Sequence, residues 1–210
     1  MKNFVNFFNN IGKLRKIPRR GSVLIGSKQP SNISDHLFRT AIMAWTLGKE
    51  KKNLNLRKVL EIALVHDFCE LYVGDKSPYD YMATLPKDKK KWPDIFDKWP
   101  RYSLVEKEKM ALEKRKKEGK ALDKLIQSLP PKIRKSLKSN WLEYENNLTK
   151  EAKFVKQVNR LEALLQALEH GQEEKIRVYK SWWIGSREKI DDPILIKFMS
   201  SLAKEFKTKK

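Results

Sequence analysis

Apolar residues recur at helical spacing along most of this chain. Phe4, Phe7, Phe8, Ile11 and Leu14 predict a short helix over 3–15. Leu37, Phe38, Ala41, Ile42 and Trp45 predict a second over 35–48, with Ser34 as its N-cap and Gly48 at its end. Val59, Leu60, Ala63, Leu64 and Leu71 mark a third, over about 56–72. After Pro130-Pro131, Ile133, Leu137, Trp141 and Leu142 predict a helix over 132–145. Phe154, Val158, Leu161, Leu165 and Leu168 belong to a long core helix, opened by Thr149 and closed by Gly171. A final helix is expected over about 192–206, with a fraying basic tail from Lys207. No stretch holds the period-two alternation of a strand, so the expected fold class is all-α.

Residues 76–120 have a different texture. Prolines 86, 93 and 100 interrupt helices, Lys87 to Lys91 is a basic run, and Trp92, Phe96, Trp99 and Tyr102 lie among lysines. Such a mixture can bind single-stranded nucleic acid by stacking. The favoured reading is an insertion whose aromatics pack onto the core. The mixed charges over 103–128 read as a helix with a solvated face. Overall, 46 basic residues against 26 acidic give a net charge of +20, which attracts anions such as nucleotides and nucleic acid. Cys69 is the only cysteine, so no internal disulfide can form. No apolar run approaches the roughly 20 residues of a membrane span, and the N-terminus lacks a signal peptide's apolar region. A cytoplasmic protein with no membrane association is expected.

Candidate chemistry gathers at Val65-His66-Asp67-Phe68-Cys69-Glu70, followed by Val73-Gly74-Asp75. An imidazole beside a carboxylate on a buried helix is costly unless something satisfies it, and a divalent metal does so efficiently. On a continuous helix, His66 and Glu70 share a face at i, i+4. His36 stands upstream near an apolar stripe. Pro18-Arg19-Arg20-Gly21-Ser22 places guanidinium forks in a loop, which suits phosphate.

In that order, Ile17-Pro18-Arg19, Ser34-Asp35-His36, His66-Asp67, Glu70, Gly74-Asp75 and Val158-Asn159 resemble the HD-domain superfamily of metal-dependent phosphohydrolases. The similarity is greatest to its 5′-deoxynucleotidase branch and covers about residues 10–170. It implies one HD-domain helical bundle over 1–210: a core at about 10–170, a lysine-rich helical insertion at about 80–120, and a C-terminal helical extension at about 172–210. It also implies His36, His66 and Asp67 as metal ligands, with Asn159 in the place of the family's fourth ligand, an aspartate. Imidazole and carboxylate suit Mn²⁺, Co²⁺, Fe²⁺, Ni²⁺ or Zn²⁺ alike.

By the same resemblance, Arg19 binds the phosphate, Glu70 transfers a proton, and Asp75 lies near the sugar. The implied activity removes phosphate from (deoxy)nucleoside 5′-monophosphates. The alternatives are a degenerate HD module that binds nucleotide or nucleic acid without turnover, and an HD hydrolase of nucleoside triphosphates or alarmones. The chain departs from the family pattern twice. Asn159 carries no charge, although Glu162 lies one turn on. Arg20-Gly21-Ser22 stands where relatives carry a tryptophan. A homodimer through aromatics near 92–102 and 182–183 is possible by analogy with relatives.

Overall fold

A computed structural model describes residues 1–81 and 86–206, and the tail from Lys207 lies outside them. Among the described residues the chain is helical, with one isolated bridge between Pro18 and Asn32 and no strand ladder. The helices are α1 (Lys2–Ile11), α2 (Arg20–Leu24), α3 (Ile33–Gly48), α4 (Leu56–Val65), α5 (Glu70–Val73), α6 (Trp92–Phe96), α7 (Leu104–Ile126), α8 (Pro131–Asn146), α9 (Lys150–Glu173), α10 (Lys180–Arg187) and α11 (Pro193–Glu205). None of them is long and apolar enough to cross a membrane.

The centre is α3, α4 and α9. Ala44, Val59, Ile62, Ala63, Val155, Val158 and Leu161 are buried together there. Small residues where α3 meets α4 let the two helices approach closely. The C-terminal helices close this core, with Leu195 of α11 fully buried in it. A second core joins α1, α7 and α8 through Phe7, Leu122, Leu125, Ile126 and Trp141, around Cys69. The N-terminal helix therefore docks on its own chain, as its apolar spacing suggests.

Side-chain caps set several helix starts. Asn32 accepts from the Asp35 N–H and opens α3 two residues before Ser34. Thr149 opens α9 as expected, accepting from the Ala152 N–H. Gly171 does not end α9, which continues to Glu173. A Cβ there would meet Val178 Cγ2 at 2.5 Å, so the glycine serves a close approach of chain segments.

Three expectations differ from the structure. The helix expected over 56–72 stops at Val65, and residues 66–69 form a turn before α5. In that turn Phe68 N–H donates to the Val65 carbonyl and Glu70 N–H to that of Asp67, tighter than α-helical pairing. On α3, Phe38, Ile42 and Trp45 are 68%, 42% and 37% exposed, while His36 and Thr40 are buried. The buried face of α3 is set by both α4 and α9, where His36 meets Glu162 and His66, and Thr40 lies against His36 one turn on. Lastly, α7 is solvated only along its first half, since Ala121, Leu122, Leu125 and Ile126 are core residues. The aromatics near α6 pack inside the chain: Phe96 is buried against Leu24 and Tyr79, with Trp92 at the edge.

Leu122 is fully buried on α7. Leu122→Ala should lower the unfolding free energy by about 2–5 kcal/mol, measured by denaturant titration. A change below about 0.5 kcal/mol, the size of an ordinary surface substitution, would show that α7 is not part of the cooperative core.

Candidate active site

The turn after α4 delivers two of the side chains. His66 is buried, and its Nδ1–H donates to the Ala63 carbonyl at 2.8 Å. That bond fixes the tautomer and leaves a lone pair on Nε2. Asp67 follows directly and points to the same spot. Its Oδ2 lies 3.2 Å from His66 Nε2.

The first turn of α3 supplies His36, also fully buried. Its Nδ1–H faces the Glu162 carboxylate of α9 in a close ion-pair contact. Glu162 is itself fully buried and accepts from Arg39 Nε at 2.8 Å. Glu162 thus fixes His36 as the Ala63 carbonyl fixes His66. His36 Nε2 lies 3.3 Å from His66 Nε2 and 3.5 Å from Asp67 Oδ2.

With both rings neutral, three acceptor atoms converge with no proton between them, the one adjacent cation among the described residues being Arg19, 3.5 Å from Asp67 on the cleft side. A cation must lie among them, either a proton shared by the rings or a metal ion. Ligand atoms about 2.1 Å from one ion sit about 3.0 Å apart in octahedral and about 3.4 Å apart in tetrahedral geometry. The observed separations of 3.2–3.5 Å fit such an ion. The donor set, two imidazole nitrogens and a carboxylate oxygen, suits a divalent transition ion.

Burial works against ionising Asp67, but a proton held by the adjoining His66 and His36 rings gives them a positive charge that overcomes it and holds the carboxyl well below the usual range. Burial, with Asp67 and Asp75 nearby, drives the Glu70 carboxyl well above its usual range despite Arg19. Glu70 Oε2 is buried without a hydrogen bond, and its nearest cation is Arg19 Nη1 at 3.9 Å. Such a carboxyl is suited to carrying a proton.

Arg19 sits at the start of α2, with Nη1 3.1 Å from Asp75 and 3.5 Å from Asp67. Burial opposes its charge, yet the surrounding carboxylates keep it firmly protonated. Asp75 Oδ2 also accepts from the Arg20 N–H at 2.8 Å and so pins the start of α2. Arg20 turns its guanidinium away to Asp80, at 2.6 Å. Trp182 of α10 covers Gly21, where a Cβ would lie 2.4 Å from the indole.

Asn159 stands on α9 one turn before Glu162. Its Nδ2 donates to the Tyr144 hydroxyl at 2.5 Å, and its Oδ1 makes no hydrogen bond among the described residues. The Tyr144 ring lies against His66, centroids 4.9 Å apart. Burial first, then Asp67, pushes the Tyr144 hydroxyl pKa up, so it stays protonated. Sequence reasoning did not single out Tyr144, although its spacing from Trp141 places it on the buried face of α8. Arg19, His36, His66, Asp67, Glu70 and Asp75 thus cluster directly, and Asn159 joins them through Tyr144. Arg19, Asp67, Glu70, Asp75 and Asn159 line one cleft of about 1210 Å³.

A family model described as HD domain matches residues 11–194. The chain belongs to the HD domain family. It is 31% identical over 208 residues to the human 5′-deoxynucleotidase HDDC2, covering 99% of this chain and 88% of that protein. The 5′-deoxynucleotidase YBR242W of Saccharomyces cerevisiae is 30% identical, over 82% of this chain and 63% of its own. A Magnetospirillum magnetotacticum structure, titled a predicted metal-dependent phosphohydrolase, is 25% identical with a TM-score of 0.57 and covers 80% of this chain and 72% of its own. A Pyrococcus furiosus structure shares the fold at a TM-score of 0.65 and 21% identity, over 97% of this chain and 99% of its own.

Within this HD domain, Glu162 is the device that presents the His36 lone pair. Glu162→Gln should weaken divalent-metal affinity by about 10–100-fold, read by competition with a metal-sensitive chelator dye. Unchanged affinity in a variant with wild-type helicity would remove Glu162 from the metal centre's support.

Proposed function

We propose that this HD domain hydrolyses (deoxy)nucleoside 5′-monophosphates, with a divalent ion held by His36, His66, Asp67 and the Asn159 carbonyl oxygen. The observation that carries this reading is the convergence of two imidazole nitrogens and the Asp67 carboxylate beside Arg19 in an open cleft. The names of the human and yeast relatives support the substrate class.

Bound there, the ion would lower the pKa of a water and offset phosphate charge. The protein's own residues do the rest. Arg19 takes the phosphate oxygens in its guanidinium fork. Asp75 and Asp67 hold that fork in place, and Asp75 lies where a sugar hydroxyl can donate to it. Glu70 carries the proton. As a water oxygen bonds to phosphorus and the bond to the 5′-oxygen breaks, the Glu70 proton passes to the leaving alkoxide. A proton from the water restores the carboxyl, and nucleoside and inorganic phosphate depart.

Asn159 makes the ligand set less negative than one with two carboxylates. Its NH₂ end donates to the Tyr144 hydroxyl, which leaves the carbonyl oxygen as the end free to ligate. The uncharged amide also favours, as a second reading, a module that binds nucleotide without turnover.

Phosphate release from a panel of deoxynucleoside monophosphates, with Co²⁺ or Mn²⁺ added, decides between them. Turnover is expected in the wild type and background release in Asp67→Ala. Asn159→Asp should bind metal more tightly, on the order of tenfold, about 1.4 kcal/mol. If neither the wild type nor Asn159→Asp releases phosphate across the panel, the hydrolase reading fails. Thermal stabilisation by nucleotide would then identify the binding module.

A further inference from the structure

The cleft contains more positive charge than the reacting phosphate needs. Thirteen Lys and Arg residues line it against seven Asp and Glu. Most of these acids are already paired. Glu188 pairs with Arg101, Glu145 with Lys114, Asp192 with Lys51, and Asp67 and Asp75 with Arg19. Asp191 accepts from the Gln157 amide at 2.7 Å.

Among the lining cations that make no ion pair among the described residues, two meet over a single aromatic ring. The Arg160 guanidinium makes no hydrogen bond or ion pair among the described residues and lies 5.2 Å from the Trp99 ring centroid. The Lys189 ammonium makes no ion pair among the described residues, although Glu188 beside it offsets part of its charge, and it lies 5.3 Å from the same ring. Trp99 is fixed in place, because a Cβ at Gly185 would come within 2.7 Å of its ring. Lys156 adds a third charge, donating to the Tyr144 and Glu145 carbonyls at 2.9 and 3.1 Å and lying over the Tyr144 ring.

Lys189 is an exposed residue on the turn after α10 and lines the cleft. Its pKa is pushed down to about 8, by burial first and then by Arg160 and Lys156. Glu188 and Glu145 offset these charges only in part, and grouped cations are stabilised when a ligand supplies the remaining negative charge. Arg160 directly follows Asn159, so this group adjoins the proposed metal site. The cleft volume also exceeds the roughly 300–1,000 Å³ of an ordinary small-ligand pocket.

We propose that Arg160 and Lys189, set on the Trp99 ring, bind a second phosphate group of the same substrate whose 5′-phosphate meets the metal centre. This rests on the nucleotidase reading and narrows it to substrates with two separated phosphates. A nucleoside 3′,5′-bisphosphate and a short 5′-phosphorylated strand both carry that chemistry.

The test compares three probes on full-length, metal-loaded Glu70→Gln protein by calorimetric titration: thymidine 5′-monophosphate, thymidine 3′,5′-bisphosphate and 5′-phosphorylated dithymidylate. At least one doubly phosphorylated probe should bind roughly tenfold more tightly than the monophosphate, as charge-assisted contacts allow. Adding Lys189→Gln or Arg160→Gln should bring that ratio close to one. Tight binding of the bisphosphate identifies a free nucleotide as sufficient, and tight binding of the dinucleotide alone identifies a strand. A ratio near one for both probes, or a high ratio that neither substitution lowers, overturns the proposal. Lys189 lies on a solvent-reached turn, so its variant keeps the test open should Arg160→Gln fail to fold.

The activity reading is scored separately, by phosphate release in the wild type. Release from the monophosphate with a ratio near one removes the second-phosphate site alone. A high, substitution-sensitive ratio without release removes the hydrolase alone.

Discussion

The structure turns on two hydrogen bonds that point away from the reaction. His66 gives its Nδ1–H to the Ala63 carbonyl, and His36 gives its own to Glu162. Each bond spends the ring's single proton, so both Nε2 lone pairs are forced toward Asp67. A buried meeting of three acceptors is unfavourable without a cation, and the packing has to maintain it. The carbonyl that holds His66 is available because α4 stops at Val65. Carbonyls in the last turn of a helix have no intrahelical partner. The helix break is thus part of the site.

α9 carries the other half of the arrangement. Asn159, Arg160 and Glu162 lie within one turn, and Val158 and Leu161 between and beside them are fully buried in the central core. Packing against α3 and α4 fixes the rotation of α9 and therefore aims all three polar residues at once. The exposed half of α3 follows from the same constraint. His36 and Thr40 occupy inward positions because Glu162 and His66 lie opposite, so Phe38, Ile42 and Trp45 are left facing out.

Much of this was legible in the chain. Helical spacing gave the all-α class and the main elements, and Thr149 marked the start of α9. His36, His66-Asp67, Glu70 and Arg19 were named from motif order, and they meet in space. What escaped were features with no local signature. The break after Val65 was hidden because Leu71 continues the apolar pattern of α4. Gly171 read as a terminator because close approach of Val178 depends on tertiary packing. Tyr144 gave no sign of its hydrogen bond to Asn159, which joins two helices. The buried half of α7 was masked by the charges that precede it.

Asn159 shows how electrostatic balance is shared beyond the residues that touch an ion. In the proposed ligand set, an amide in place of a carboxylate would remove one negative charge. Glu162 returns negative charge one bond further out, through the His36 ring, where it raises the basicity of Nε2. Arg39 tempers that contribution by sharing the carboxylate, and Arg19 faces the same group from the cleft. The ion's surroundings are therefore less negative than two direct carboxylates would make them. The positive wall formed by Arg160, Lys156 and Lys189 adds to this bias. Together these charges bias the cleft toward an anionic ligand.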